Sequence, residues 1–195
     1  MFIIIVLIIS FISLMFYKKI HKHQIIFYSL AIILAVLAFL GRGMPLTKPI
    51  NIGMVGLAFF YLVMLVGVLP KKWKITTALK VLRKEWSIVG FLIIAPHSLF
   101  NLYEILFQNR SVTWFGISTF VIMLPLFVTS FTIIRRKMTP KSWKFLQSFA
   151  YIAYCALFVH IILNASEILN LIAYIVAFTP YVVIKSVMLL KKLKK

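Results

Sequence analysis

Two histidines, His97 and His160, lie deep in long apolar segments, where an imidazole is costly and therefore needs a reason. His97 lies in the run IVGFLIIAPHSLFNLY, and His160 lies in the run SFAYIAYCALFVHIILN. Each run follows a basic turn of the chain. Imidazole is a common axial ligand of haem iron, and two helices can bind one iron from both faces. The pair therefore points to one haem b held between two membrane helices.

The two imidazoles are predicted to lie at the same depth in a membrane. If the segments enter the bilayer near residues 86 and 146, His97 lies 11 residues inside and His160 lies 14 residues inside. At about 1.5 Å per residue, these depths are about 16 and 21 Å in a hydrocarbon core of about 30 Å. Both positions are just outside the middle of the core, on segments that cross in the same direction.

Other uses of two buried histidines stay open at this point. A membrane histidine often only joins two helices by a hydrogen bond. A proton relay normally also needs carboxylates at mid-membrane, but all three acidic residues lie near span ends or in loops: Glu85, Glu104 and Glu167. A metal held by side chains alone needs a third or fourth ligand, and Cys155 is the only further candidate near that depth.

The composition is that of an integral membrane protein. The chain has 195 residues, of which 63% are hydrophobic and only three are acidic, too few polar groups to cover a soluble surface. The net charge of +19 comes from short blocks of Lys and Arg between the apolar runs, which argues against a nucleic-acid partner. His21 and His23 belong to one such block, KKIHKH, where solvated or lipid-facing side chains with no specific role are expected.

Seven apolar runs are each near the roughly 20 residues that a helix needs to cross a bilayer. They are residues 2–17, 24–41, 52–69, 87–107, 113–134, 146–164 and 168–190. The runs are continuously apolar and do not alternate, so strands are excluded. The prediction is an all-α membrane bundle of seven helices, with six spans and a peripheral amino-terminal extension as the fallback. Residues 1–51 form two amino-terminal helices, and residues 52–195 form the haem-binding domain.

The basic residues predict the orientation of this bundle. Of the 22 Lys and Arg residues, 19 fall in alternate connections or the carboxyl-terminal end, and only Arg42, Lys48 and Arg110 fall on the other side. Under the positive-inside rule the amino terminus lies outside and the carboxyl terminus in the cytoplasm. The expected location is the cell membrane, crossed several times. The three outer cations are also candidates for pairing with haem propionates.

The residues around the two histidines resemble ferric-reductase-like transmembrane haem proteins, most closely the MsrQ (YedZ) family of bacterial membrane haem subunits. The matching segments are LRKEWSIVGFLIIAPHSLFNLYEIL at 82–106 and GISTFVIMLPLFVTSFTIIRRKMTPKSWKFLQSFAYIAYCALFVHIILN at 116–164, with GLAFFYLVMLVGVLP at 56–70 similar to the preceding helix. The likeness covers residues 52 to 190. The resemblance implies a ferric-reductase-like fold in which His97 and His160 are haem ligands, and the first helix is an addition.

The sequence departs from that family at one proposed ligand. The family pattern has a second histidine thirteen residues before the position of His160, and here that residue is Gln147. An inner haem would also need a partner near Lys84, where no histidine is present. Thirteen residues of helix are about 20 Å, so the two missing ligands belong to the opposite leaflet. One haem, placed towards the outer leaflet, is therefore expected.

The resemblance implies an electron-transfer subunit. Such subunits receive electrons from a cytosolic flavin reductase or from the quinone pool, so FMN or quinone would come through a partner. They deliver electrons to an extracytoplasmic reductase that repairs oxidised methionine. The chain has no nucleotide-binding motif and no catalytic residue of its own is expected. Two alternatives remain: a direct reductase of ferric iron or another metal, and a haem-free scaffold or transporter.

Overall fold

The computed structural model describes residues 1–109, 111–165 and 168–193, and every regular element in these ranges is an α-helix. The predicted all-α class is confirmed. In chain order the helices are α1 (Phe2–Lys22), α2 (Gln24–Leu40), α3 (Lys48–Asn51), α4 (Met54–Leu65), α5 (Lys74–Val81), α6 (Arg83–Phe107), α7 (Trp114–Val128), α8 (Thr132–Arg135), α9 (Pro140–Ser148), α10 (Ala150–Asn164) and α11 (Ile168–Leu193).

Four helical stretches of the described chain are long and apolar enough to cross a membrane: Phe2–Lys22, Arg83–Phe107, Pro140–Asn164 and Ile168–Met188. The third of these consists of α9 and α10. Three further apolar helices, α2, α4 and α7, are shorter, with 17, 12 and 15 residues. A helix of 12 residues is about 18 Å long, well below a core of about 30 Å. Helix length and composition thus indicate a membrane protein but do not confirm seven spans.

Glycine and proline shorten one of the predicted runs. The run 52–69 forms a helix only from Met54, because Gly53 has a φ of 78° and caps it at the start. It ends at Leu65, ahead of Gly67 and Pro70. The first run is longer than predicted, since α1 continues through the basic block to Lys22, where cations suit the negative end of the helix dipole.

Helix α6 is the element on which the others are arranged. Helix α4 runs antiparallel to it, with Gly53 beside His97 at one end and Phe59 against Trp86 at the other. Between these contacts the two backbones approach closely at Gly56: a Cβ added there would lie only 2.7 Å from the Cβ of Ile94. Small residues at such a crossing let membrane helices pack backbone to backbone.

Helix α2 runs parallel to α6 on another side. The Lys84 ammonium donates to the side-chain oxygen of Gln24 over 2.6 Å at one end, and the rings of Phe39 and Phe100 stack 4.5 Å apart towards the other. The side chain of His21 is exposed, as expected for this basic block, but it also has a specific contact. Its Nδ1 lies 3.0 Å from an oxygen of Glu85, whose side chain is fully buried in the first turn of α6. A buried carboxylate needs such a partner, and the sequence pattern did not show that α1 supplies it.

The remaining long helices complete the bundle around an aromatic cluster. Helix α10 packs chiefly on α7, and α11 packs on α10. The ring of Phe178 in α11 stacks on Phe158 in α10 at 5.4 Å, and Phe2 at the start of α1 contacts Phe178 and Tyr61. The Tyr61 hydroxyl also donates to the carbonyl of Ala177 over 2.9 Å, so α4 and α11 are tied at this level.

Large apolar side chains remain exposed along the long helices. Examples on α1 are Ile4, Leu7 and Phe11, and on α2 Leu37 and Leu40. A soluble monomer rarely exposes contiguous apolar surface on this scale. In hydrocarbon such faces are the favourable ones, since the helices satisfy their own backbone hydrogen bonds. The distribution of burial thus agrees with a helical bundle surrounded by lipid.

The close approach of α4 and α6 makes a stability prediction. Gly56→Ala places a methyl group against Ile94 and the carbonyl of Gly90, which must move apart. We expect a loss of about 1–3 kcal/mol in the free energy of unfolding, the usual range for overpacking. The measurement is thermal or denaturant unfolding in detergent. The control is Gly67→Ala, whose nearest neighbours would be 3.5 Å or more away, and equal stability of the two variants would contradict the prediction.

Candidate functional site

The structure brings His97 and His160 together. His97 lies in the second half of α6 and His160 near the end of α10, and the centroids of their rings are 6.4 Å apart. The two ring planes make an angle of 62°. The predicted convergence of the imidazoles at one level is thus confirmed, although the residues are 63 positions apart in sequence.

A backbone carbonyl fixes the state of the His97 ring. Its Nδ1 lies 3.0 Å from the carbonyl oxygen of Asn51, at the end of α3. A carbonyl only accepts, so Nδ1 carries the proton, and in the neutral ring Nε2 carries the lone pair. This arrangement is the usual one for a histidine that binds a metal, because the bond to Nδ1 sets both tautomer and ring orientation.

Each histidine also has an asparagine one helical turn further on. The side-chain nitrogen of Asn101 donates to the carbonyl of His97, and that of Asn164 donates to the carbonyl of His160, both over 2.7 Å. The amide nitrogen of Asn101 lies 3.3 Å from Nδ1 and 3.4 Å from Nε2 of His97, and that of Asn164 lies 3.3 Å from Nδ1 of His160. The sequence holds this signal as the repeated pattern H-x-x-x-N in HSLFN and HIILN. The pattern puts the two asparagines in equivalent positions, one helical turn after each histidine.

Two glycines of neighbouring helices leave the space that the imidazoles occupy. A Cβ added at Gly53 would lie 3.1 Å from Cδ2 of His97, and one added at Gly116 would lie 2.8 Å from Cε1 of His160. Gly53 precedes α4, and Gly116 lies in the first turn of α7. Any side chain at Gly116 would push the His160 ring from its place. The two imidazoles are therefore each packed against the start of a different helix.

The separation of the two rings can be compared with that of two imidazoles on one iron. Metal–imidazole bonds are about 2 Å long, so two rings bound from opposite sides have centroids roughly 6 Å apart. The observed centroid distance is 6.4 Å. A metal held by protein side chains alone is a poorer fit, since the described residues contain no group of three or more His, Cys, Asp or Glu that could hold one.

Gln147 lies away from this pair, in α9. Its side-chain nitrogen donates to the hydroxyl of Thr129 over 3.4 Å. It lines a cleft together with Arg83 and Tyr154. Lys84, the residue near the expected partner position on α6, bonds to Gln24. The residues at the two positions of the missing ligands thus have partners of other kinds.

The cations proposed for propionate binding have different positions. Arg42 forms an ion pair with Glu104, and its guanidinium carbon lies 4.1 Å from the centroid of the Phe100 ring, one turn of α6 beyond His97. Lys48 begins the short helix α3. Arg110 lies outside the described residues. Arg42 is thus tied to α6.

No protein-family model matches the chain, and no curated protein and no solved structure matches it. The resemblance to ferric-reductase-like haem proteins therefore stays a prediction.

The proximity of the two histidines can be tested chemically. We expect a short bifunctional thiol reagent to link His97→Cys to His160→Cys, in a Cys155→Ser background that removes the single native cysteine. The measurement is mass spectrometry of the peptides from α6 and α10.

The matched control pairs His97→Cys with His23→Cys. His23 adjoins Gln24, which bonds Lys84, and Lys84 is thirteen residues or about 20 Å of helix from His97. Equal linking of the two pairs, or linking of neither, would show that the imidazoles do not converge.

Proposed function

We propose that His97 and His160 are the axial ligands of one haem b, and that the chain is an electron-transfer subunit of a membrane. The observation that carries this proposal is the 6.4 Å separation of the two imidazole centroids, on two helices of the apolar bundle. When bound, the haem supplies one-electron exchange between ferric and ferrous iron. His97 and His160 would hold the haem by two imidazoles, and iron held in this way would favour electron transfer over oxygen binding.

Neighbouring residues position the side chains of His97 and His160. The Asn51 carbonyl keeps the proton on Nδ1 of His97, so that Nε2 is the atom that binds. Gly53 and Gly116 have no side chain and so leave room for the two rings. Asn101 and Asn164 donate hydrogen bonds to the backbone carbonyls of His97 and His160. Fixed ligands change little between the two oxidation states, which lowers the reorganisation that electron transfer requires.

The finer topology belongs to the same proposal. In it α6 and α10 leave the basic side of the membrane and carry His97 and His160 towards the outer leaflet, and the short helices α2, α4 and α7 complete the spans. The basic turns then face the cytoplasm. Four of their cations, all exposed, could dock an acidic donor such as a flavin reductase: Lys72, Lys74, Arg135 and Arg136. The quinone pool is the alternative donor, and an extracytoplasmic reductase or metal is the acceptor.

The histidines of the chain provide a matched test of the ligands. We expect the wild-type protein, purified from haem-replete cells, to contain about one low-spin b haem per chain. His97→Ala and His160→Ala each remove one of the two ligands, so haem should be lost or become high-spin. His23→Ala, between α1 and α2, is the control and should keep the wild-type optical spectrum, whereas His21 is left unchanged because it contacts buried Glu85. A colourless wild-type protein would instead favour the haem-free scaffold or transporter.

A second prediction concerns the place of the His160 ring. Gly116→Val puts a branched side chain where a Cβ alone would be 2.8 Å from the imidazole. We expect the haem of this variant to shift towards the high-spin state, as His160 is pushed from the iron. The measurement is the absorption spectrum of the oxidised protein, with Gly67→Val as control, because the nearest atoms to a Cβ at Gly67 would be 3.5 Å or more away. A low-spin spectrum of the Gly116→Val variant would show that Gly116 is not needed to position the His160 ring.

A further inference from the structure

A second site lies at the other end of the bundle from the histidine pair. Two small adjoining cavities, each open at the surface, share Arg83, Gln147, Ala150 and Tyr154 as lining residues. Arg83 begins α6, fourteen residues before His97. The end of the cleft at Arg83 is therefore about 21 Å of helix from His97.

The walls of this cleft divide into an apolar part and a polar part. The apolar part is formed by side chains of α4, α6 and α7, among them Phe60, Phe91, Met123 and Phe127. The polar part is formed by Arg83, Tyr151, Tyr154, Tyr181 and Lys185. A ligand that fills both parts must have an apolar tail and a polar head.

The positive charge of the polar part of the cleft favours a ligand with an anionic head group. Arg83 lies within electrostatic range of the hydroxyl groups of Tyr154 and Tyr181. The Lys185 ammonium donates to the hydroxyl of Tyr151 over 3.2 Å and lies 4.7 Å from the centroid of its ring. Within the described ranges, no acidic residue lines the cleft, and neither cation forms an ion pair. Two cations without a carboxylate favour an anion, and Arg binds phosphate particularly well.

We propose that this cleft binds one anionic phospholipid, with its phosphate between Arg83 and Lys185 and one acyl chain along Phe91 and Phe127. Basic pockets between membrane helices, on the side where cations cluster, are places where anionic lipid head groups bind. Free inorganic phosphate would fill only the polar part. The proposal does not depend on the haem, because the lining residues include neither His97 nor His160.

The test is native mass spectrometry of the full-length protein after delipidation, titrated with phosphatidylglycerol. We expect one lipid per chain. The double variant Arg83→Gln, Lys185→Gln should bind it about tenfold or more weakly, since each cation near an anionic head group contributes. The control Arg136→Gln, Lys144→Gln removes two exposed cations that do not line the cleft, and should bind like the wild type. Gel filtration and melting confirm that the variants fold.

A second variant keeps both charges and fills the space. Ala150→Phe places a ring where both cavities meet, so phosphatidylglycerol should be excluded although Arg83 and Lys185 remain. Equal binding by wild type, charge variant and filled variant would overturn the proposal. So would equal binding of phosphatidylcholine, retention of inorganic phosphate in place of lipid, or a haem or quinone found in the cleft and lost with Arg83→Gln. Haem content, read from the same samples, separates this result from the fate of the proposed electron-transfer function.

Discussion

The free-energy cost of placing an imidazole among apolar side chains is the constraint on which the site depends. Every polar atom there must find a partner in the protein, because hydrocarbon offers none. His97 meets this requirement with the carbonyl of Asn51, and each histidine carbonyl has an asparagine one turn away. The arrangement uses α3, α6 and α10 together.

The position of the pair follows from how α6 is packed. Close contact with α4 at Gly56 and parallel packing of α2 hold α6 as the central helix, and Gly53 of the α4 turn meets His97. Helix α10 is held by α7, whose Gly116 meets His160. Each imidazole is thus positioned by a separate helix pair. A ligand between the two imidazoles would therefore contact one side chain from each helix pair.

Much of this arrangement could be predicted from the sequence. The helical class followed from uninterrupted apolar runs, and the convergence of His97 and His160 followed from counting residues inward from the basic turns. The helix lengths were not predicted correctly. Gly53, Gly67 and Pro70 end or interrupt the helix locally, but an apolar run continues through such residues. The partner of Glu85 was also missed, because His21 lies 64 residues away and only tertiary packing brings the two together. The repeated H-x-x-x-N pattern was visible, but the bonds from each asparagine to its histidine's carbonyl appear only in the structure.

Electron paramagnetic resonance of the oxidised, haem-loaded protein tests the central claim most directly. The spin state of ferric iron reports the axial ligands without any substitution in the chain. If His97 and His160 bind one iron from both faces, the spectrum is that of low-spin ferric haem with two nitrogen ligands, at about one spin per chain. A high-spin signal would mean that at least one imidazole is not bound. A protein that binds no haem would contradict the account altogether.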